Sequence, residues 1–299
     1  MYNTCNLCPR ECGADRINRM GYCRAPREIM IARAALHLYE EPVISGKNGS
    51  GTIFFCGCNL GCVFCQNGVI SHDFAKVKTA ARIISDDELM SIILNLKAEG
   101  AHNINFVTPT HYADSIARVL KRIKAELRIP VIYNCGGYES IETLKMLEGL
   151  IDIYMPDFKY FSDELSKKYS FAPDYAERAA EALAEMYRQT GEAVIGEDGL
   201  MKKGILLRHL VLPGCRKDSA LILEKIAETV PANKILISIM RQYTPDFAPE
   251  SMKELRRRIT SFEYDFVLSE SEKYGFVGFS QDKDSAKTSY TPDFSLKTF

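Results

Sequence analysis

FFCGCNLGCVFCQN, residues 54–67, sets four cysteines within ten positions. Cys58, Cys62 and Cys65 form C-x3-C-x2-C, and Cys56 stands two residues upstream of the first. The run that leads into them, GTIFFCG (51–57), is β-branched and aromatic, so the thiols are expected to follow a strand directly. Such a loop binds either zinc or an iron–sulfur cluster, and the two make different demands. Structural zinc is closed by four ligands, usually as two pairs from separate segments. Here one loop supplies three, with Cys56 or His72 as a candidate fourth. A four-iron cluster held by three thiolates instead leaves one iron open to a small molecule.

Strand and helix alternate from there on. SDDELMSIILNLKAEG (85–100) places Leu89, Ile92, Ile93 and Leu96 on one helical face, with Ser85 and Glu88 spaced as a capping box. The pattern repeats as INFVTP with HYADSIARVLKRIKAEL, PVIYNC with ESIETLKMLEGL, IDIYMPDF with a long helical stretch, GILLRHLVLPG with DSALILEKIAETV, and KILISIM with PESMKELRRRIT. Nearly continuous apolar strands separated by helices predict a parallel sheet buried on both faces. A closed eight-unit barrel takes about 250 residues. Six units with one long insertion, Phe161 to Lys203, fill the roughly 210 residues from Gly51 to Ser261, which favours a partial (β/α)6 barrel. The alternative is a doubly wound sheet, but no G-x-G-x-x-G follows a predicted strand. Either topology puts the site at the C-terminal ends of the strands. The insertion reads as an extra helix, AERAAEALAEMYRQTG, and a turn-rich GEDG outside the barrel, or as a partner-docking or lid element.

The division expected is a Cys-rich metal-binding extension over 1–50, the barrel over 51–282 and a polar tail over 283–299, which repeats the YTPDF of 243–247 at 290–294. With 38 basic and 39 acidic residues among 299, the net charge of −1 offers no general attraction to nucleic acid or an anionic membrane. No signal-like start and no apolar run of about 18 residues is found, so a cytoplasmic protein is expected. In that compartment ten cysteines, eight of them before residue 66, are ligands, catalytic groups or buried hydrophobes rather than disulfides. CNLCPRECGADRINRMGYC (5–23) spaces Cys5, Cys8, Cys12 and Cys23 in a segment too poor in large apolar residues to fold by burial alone. Metal binding would supply its folding energy, as zinc or as a second iron–sulfur cluster.

CNLGCVFC (58–65) resembles the C-x3-C-x-aromatic-C signature of the radical S-adenosylmethionine (SAM) superfamily. The resemblance implies a [4Fe–4S] cluster on Cys58, Cys62 and Cys65 whose open iron takes the amino and carboxylate groups of SAM, with Phe64 beside the adenine. From about Gly51 to Tyr243 it narrows to the pyruvate formate-lyase activating enzymes, in a branch with an N-terminal four-cysteine segment. CQN (65–67) resembles the family's Cys-His-Asn, with Gln66 in the His position. IYMPDFK (153–159) resembles its Met-x-Asp-x-Lys, and GILLRHLVLPG (204–214) its fifth-strand Arg with a closing Val-x-Pro-Gly. Asp157 and Lys159 alternate with Phe158, so both project to one face at a strand end, where they suit a zwitterionic ligand. Arg208 suits a carboxylate, and Tyr243 stands near a family His.

The departures are also specific. Where the family carries Gly-Gly-Glu for the methionine ammonium, this chain reads NINFVTPTHY (103–112), leaving Thr108, Thr110 and backbone carbonyls in its place. NCGG (134–137) puts Asn134 where the family has an anionic group near a monovalent cation, of whose ligands Met155 and Asp157 match others. His111 reads equally as a capping or packing residue and as a ligand, and Cys56, Cys135 and Cys215 read as packing residues. The implied function is hydrogen abstraction by a 5'-deoxyadenosyl radical, from a glycine of a glycyl radical enzyme, with a flavodoxin- or ferredoxin-like electron donor. The alternatives are another peptide or small-molecule substrate, and a zinc-binding interaction module with an inert barrel.

Overall fold

The computed structural model describes residues 4–72 and 81–281. The expected tail over 283–299 and the second YTPDF lie outside the described residues. Numbered along the chain, the strands are β1 (Ile29–His37), β2 (Ser50–Phe55), β3 (Arg82–Ile84), β4 (Ile104–Val107), β5 (Val131–Cys135), β6 (Ile153–Pro156), β7 (Val194–Ile195), β8 (Met201–Leu210), β9 (Leu236–Met240) and β10 (Val277–Ser280). They pair in the order β10-β9-β8-β6-β5-β4-β2-β1-β3, with β7 hairpinned onto β8. From β2 to β10 every neighbouring pair on this path is parallel, while β1 and β3 add antiparallel at one edge.

The six strands expected from the apolar runs are thus neighbours in sequence order, which never reverses as a doubly wound sheet would. One face carries the long helices and the main core; the other buries Ile132, Ile153, Met155 and Leu206 against Ile44 from the segment after β1. In that segment the adjacent Glu40 and Glu41 reach Asn105 on β4 and Ser238 on β9. Those strands stand four places apart, ~19 Å in a flat sheet, so the inner face wraps around this segment.

Most helices begin where the sequence places them. Ser85 accepts from the N–H of Glu88 at 3.2 Å, and Glu88 reaches back to the N–H of Ser85 at 2.8 Å. Tyr175–Thr190 stops at Gly191 as expected. The helix expected over 249–260 is absent: only a 3-10 turn, Lys253–Leu255, forms there. The helix is instead Ser261–Lys273, because Thr260 and Glu263 make a capping box that fixes its start, with Arg257 paired to Glu263 at 2.6 Å. β1 and β10 were not anticipated. Each lies at or near a sheet edge, where burial is incomplete and the apolar run is broken. Among the described residues no helix is long and apolar enough to cross a membrane.

The N-terminal segment is fastened to the head of the sheet by two arginines. Arg10 donates to the carbonyls of Asn59 (2.8 Å), Ser170 (3.0 Å) and Phe171 and stacks on Tyr22 at 3.9 Å. The buried Arg16 serves the carbonyls of Ala25, Pro26 and His111. The N–H of Cys58 then donates to the carbonyl of Cys23 at 3.2 Å. Gly57 makes this approach feasible: its φ is +92°, and a β-carbon there would lie 2.6 Å from the Cys23 oxygen. Gly57→Ala is expected to destabilise the chain by more than ~1 kcal/mol, read as a lowered unfolding midpoint; an unchanged midpoint would contradict this docking.

Glu139, buried beside the segment, accepts from the hydroxyls of Thr110 (2.8 Å) and Tyr133 (3.1 Å). Burial pushes its carboxyl up to about 7 from an ordinary 4.5. The folded chain therefore holds this proton more tightly than the unfolded chain. The resulting stability is complete below about pH 4.5 and is lost as pH rises through about 7. At 1.36 kcal/mol per unit the loss is about 3 kcal/mol. Urea midpoints measured from pH 4 to 8 should fall more steeply in the wild type than in Glu139→Gln, and equal slopes would refute the assignment.

Candidate functional site

The cysteine loop leaves the C-terminal end of β2 and crosses the head of the sheet. Each of its three sulfurs accepts a hydrogen bond. The N–H of Leu60 donates to Cys58 Sγ at 3.4 Å, Ser71 Oγ to Cys65 Sγ at 3.6 Å, and Ser170 Oγ to Cys62 Sγ at 2.9 Å. Tyr160 lies 2.7 Å behind Ser170, so its O–H can feed the Ser170 hydroxyl as that hydroxyl feeds the sulfur. Burial first, then the neighbouring sulfurs, raise the Cys58 and Cys65 thiols above their ordinary value. Buried thiols that repel one another's ionisation but are each offered a donor suit thiolates whose charge is met by iron. Among the described residues no three His, Cys, Asp or Glu side chains close on a point as ligands of one metal ion. A cluster makes no such demand, since its thiolates bind separate irons.

The flanking residues close around this loop. Gln66 Nε2 donates to the carbonyl of Gln242 at 3.0 Å, and Phe64 meets Tyr243 edge-on with centroids 6.0 Å apart. The first and last loops of the six-strand array therefore touch. Tyr243 spends its hydroxyl on the carbonyl of Leu255 at 2.7 Å. A cavity of about 860 Å³ opens against the loop, with Cys62, Cys65, Val63, Tyr22, Arg24 and Phe171 among its walls.

Below the loop, on the inner face, Asp157 joins both expected cations. Lys159 Nζ lies 2.5 Å from one carboxylate oxygen and Arg208 Nε 3.0 Å from the other. Burial would raise the Asp157 carboxyl, but Lys159 and Arg208 together hold it below its ordinary range. Burial likewise opposes the charge on Lys159, yet Asp157 and the Cys62 sulfur raise its value. Arg208 also donates from Nη2 to Asn134 Oδ1 at 2.7 Å. Asn134, Asp157, Lys159 and Arg208 thus form one array, and Met155 packs beneath it. Gly137 of NCGG is needed here: its φ is +81°, and a β-carbon would fall 2.1 Å from the Asp157 carbonyl oxygen.

At the Gly-Gly-Glu position Thr108 holds a left-handed φ of +57°, a strained conformation for a β-branched residue. Thr110 gives its hydroxyl to Glu139. A carboxylate does stand at this strand end, delivered from the loop after β5. His111 is buried and directs Nε2 to the Cys56 carbonyl at 2.8 Å, and burial holds it down to about 3. Cys56 packs with Ala32, Phe54 and Ile70. Cys135 is buried beside Glu139, Cys215 Sγ faces the Pro213 carbonyl at 3.6 Å, and His72 offers its carbonyl to Arg24 at 2.6 Å.

The N-terminal thiols also gather. A β-carbon on Gly21 would lie 3.0 Å from Cys12 Sγ and 3.7 Å from Cys23 Sγ, and Cys5 and Cys23 are near enough to Cys8 to add to the rise of its thiol. Burial pushes the Cys8 thiol up to about 12. Sequence reasoning missed Ser170, Glu139, Asn105, Glu40 and Glu41. Nothing in their spacing marks them, because each reaches the site by a tertiary contact.

The Radical SAM superfamily model matches residues 52–197. "Uncharacterized protein MJ0674" of Methanocaldococcus jannaschii is 31% identical over 281 residues, covering 92% of this chain and 76% of that protein. Among solved structures, Streptococcus suis SuiB bound to precursor peptide SuiA superposes with a TM-score of 0.50 at 12% identity, over 76% of this chain and 47% of SuiB. The chain thus spans about half the length of SuiB. A radical SAM methyltransferase from Sphaerobacter thermophilus gives a TM-score of 0.51 at 12% identity, over 78% of this chain and 66% of that one. At such identities these structures speak to the fold alone. The matched stretch runs from the first parallel strand through the cysteine loop and the Asp157–Lys159 pair, and it is a radical SAM superfamily domain.

Proposed function

We propose that the chain binds a [4Fe–4S] cluster on Cys58, Cys62 and Cys65, holds SAM against it, and directs the resulting radical to a carbon–hydrogen bond of a partner. The observation that carries this reading is the donor offered to each of the three sulfurs at the head of a parallel sheet. Cys58, Cys62 and Cys65 would hold the cluster, and the chemistry it would supply, once reduced by an external donor, is one-electron cleavage of SAM to methionine and a 5'-deoxyadenosyl radical. The remaining work falls to this chain's side chains. Asp157 and Lys159 present an acceptor and a donor to the methionine zwitterion, with Arg208 and Asn134 fixing the carboxylate's position. Phe64, backed by Tyr243 and joined through Gln66 to the loop after β9, packs beside the adenine and limits water at the mouth. The substrate we propose is a backbone glycine of a glycyl radical enzyme, on the resemblance over β6 and β8; a different peptide or small molecule is the second reading.

Cys5, Cys8, Cys12 and Cys23 we assign to a second metal centre. The Cys12 and Cys23 sulfurs stand close together beside Gly21, and the four thiols suit either zinc or a second iron–sulfur cluster.

Anaerobic reconstitution of the wild type should give iron, sulfide and, with SAM and a reductant, 5'-deoxyadenosine. The variant with Cys58, Cys62 and Cys65 all changed to Ala should make no 5'-deoxyadenosine; about four irons kept by it would assign a second cluster to the N-terminal cysteines, and zinc alone a structural zinc site, while an iron-free wild type would sink the reading. Mixing the loaded enzyme with glycyl radical enzymes and recording radical spectra tests the substrate, and no glycyl signal with any of them favours the second reading. Ser170→Ala removes a hydrogen bond worth about 1 kcal/mol, or ~40 mV for one electron. It should lower the reduction potential of the Cys58/Cys62/Cys65 cluster by that order, and an unmoved potential would separate Ser170 from it.

A further inference from the structure

Deeper on the inner face lies a set of acceptors that the radical chemistry leaves unused. Asn105 pairs in register with Ile132, two residues toward the strand's N-terminal end from Asn134, so it stands farther from the cysteine loop than the Asp157 array. Its side chain is fully buried; Nδ2 donates to Glu40 Oε1 at 3.2 Å, while Oδ1 has no partner. Reversing the amide would turn its oxygen onto a carboxylate, so the orientation is fixed by chemistry. A buried acceptor without a donor is costly, and here the same amide is already held against a carboxylate through its nitrogen.

The charges are unequal as well. Among the described residues, the cations that act on Glu40, Glu41 and Asp157 are Lys159 and Arg208. Asp157 engages both cations at close range, which leaves Glu40 with Arg208 at 3.6 Å and Glu41 with the Ser238 hydroxyl. Burial raises both glutamic acids, with Arg208 pulling the other way. Solvent still reaches the site: the side chains of Glu40, Asp157, Arg208 and Lys159 keep 11, 15, 17 and 19% of their surface. A cation entering here would meet two under-compensated carboxylates and one unpaired amide oxygen. An alkyl group would leave those acceptors unsatisfied, and an anion would add charge where three carboxylic groups already face two cations.

Building on the radical SAM reading, we propose that Glu40, Glu41 and Asn105 recognise a protonated amine on the substrate, placed below the cofactor. Asn105 Oδ1 and Glu40 accept two of its protons and Glu41 the third, which matches the three donors of a primary ammonium. SAM carries an ammonium of its own, so the test has to distinguish the two sources.

The test uses anaerobically reconstituted holoenzyme with saturating SAM, titrated with 1-aminopentane, 1-pentanol and pentanoate and followed by calorimetry. The amine should bind at least tenfold more tightly than the alcohol, and pentanoate more weakly than either. Glu40→Gln and Glu41→Gln should each reduce that preference at least tenfold, while Glu41→Asp, checked by its unfolding midpoint, should keep part of it. Equal binding of amine and alcohol by the wild type, or an undiminished preference in both Gln variants, would overturn the proposal. Amine binding that SAM abolishes would assign these acceptors to the cofactor and overturn the substrate assignment. Iron content and 5'-deoxyadenosine formation by the same wild-type sample report on the radical reading separately: a sample that makes 5'-deoxyadenosine but shows no amine preference refutes this proposal alone.

Discussion

The hydrogen bond from the N–H of Cys58 to the carbonyl of Cys23 joins two cysteine sets that the sequence keeps 35 positions apart. It forms because Gly57 lacks a side chain, and it holds because Arg10 and Arg16 clamp the N-terminal segment through six backbone carbonyls. The N-terminal set is anchored by little apolar burial of its own, since its segment contributes few large buried side chains, whereas the irregular loop between β2 and the short helix Gly68–Ser71 sinks Leu60 and Phe64 into the main core. Their geometry therefore depends on each other and on guanidinium groups, whose fork satisfies several carbonyls at once where an ammonium would make fewer oriented bonds.

The inner face poses the opposite problem, of too much charge in too little water. Asp157 stays ionised because two cations flank it, while Glu40 and Glu41 share what remains of Arg208. A fold stabilised only for its own sake would replace such an array with apolar packing, since buried ion pairs seldom repay their desolvation. Just beneath, Ile44, Ile132, Ile153 and Met155 do pack in that way. The boundary between the two layers marks where structural requirements give way to chemical ones.

How much of this was legible in the sequence follows from how local each cause is. Six of the seven parallel strands were readable because each is an apolar run bounded by turn residues, and the helix after Ser85 because its cap lies within four residues. The helix after β9 was misplaced because Leu255 and the adjacent basic residues suit a helix, whereas the capping box that starts it lies at Thr260. β1 escaped notice because its outward positions carry Arg33 and His37, which break the apolar alternation. At the site, the three cysteines and the Asp157–Lys159 pair are short-range patterns, and the structure sets the pair beside Arg208 and Asn134. Glu40, Glu41, Ser170 and Glu139 act on residues distant in sequence, and no window of sequence holds both partners.

Arg10 also sets an order of events during synthesis. Two of the carbonyls it serves lie 160 and 161 residues downstream. At about 5–20 residues per second, the first four cysteines leave the ribosome roughly 8 to 30 seconds before the surface that shelters them has been made. During that interval their only protection is the reducing power of their surroundings or a metal acquired early. The yield of intact protein should therefore depend on conditions met by the nascent chain as well as on the stability of the finished fold.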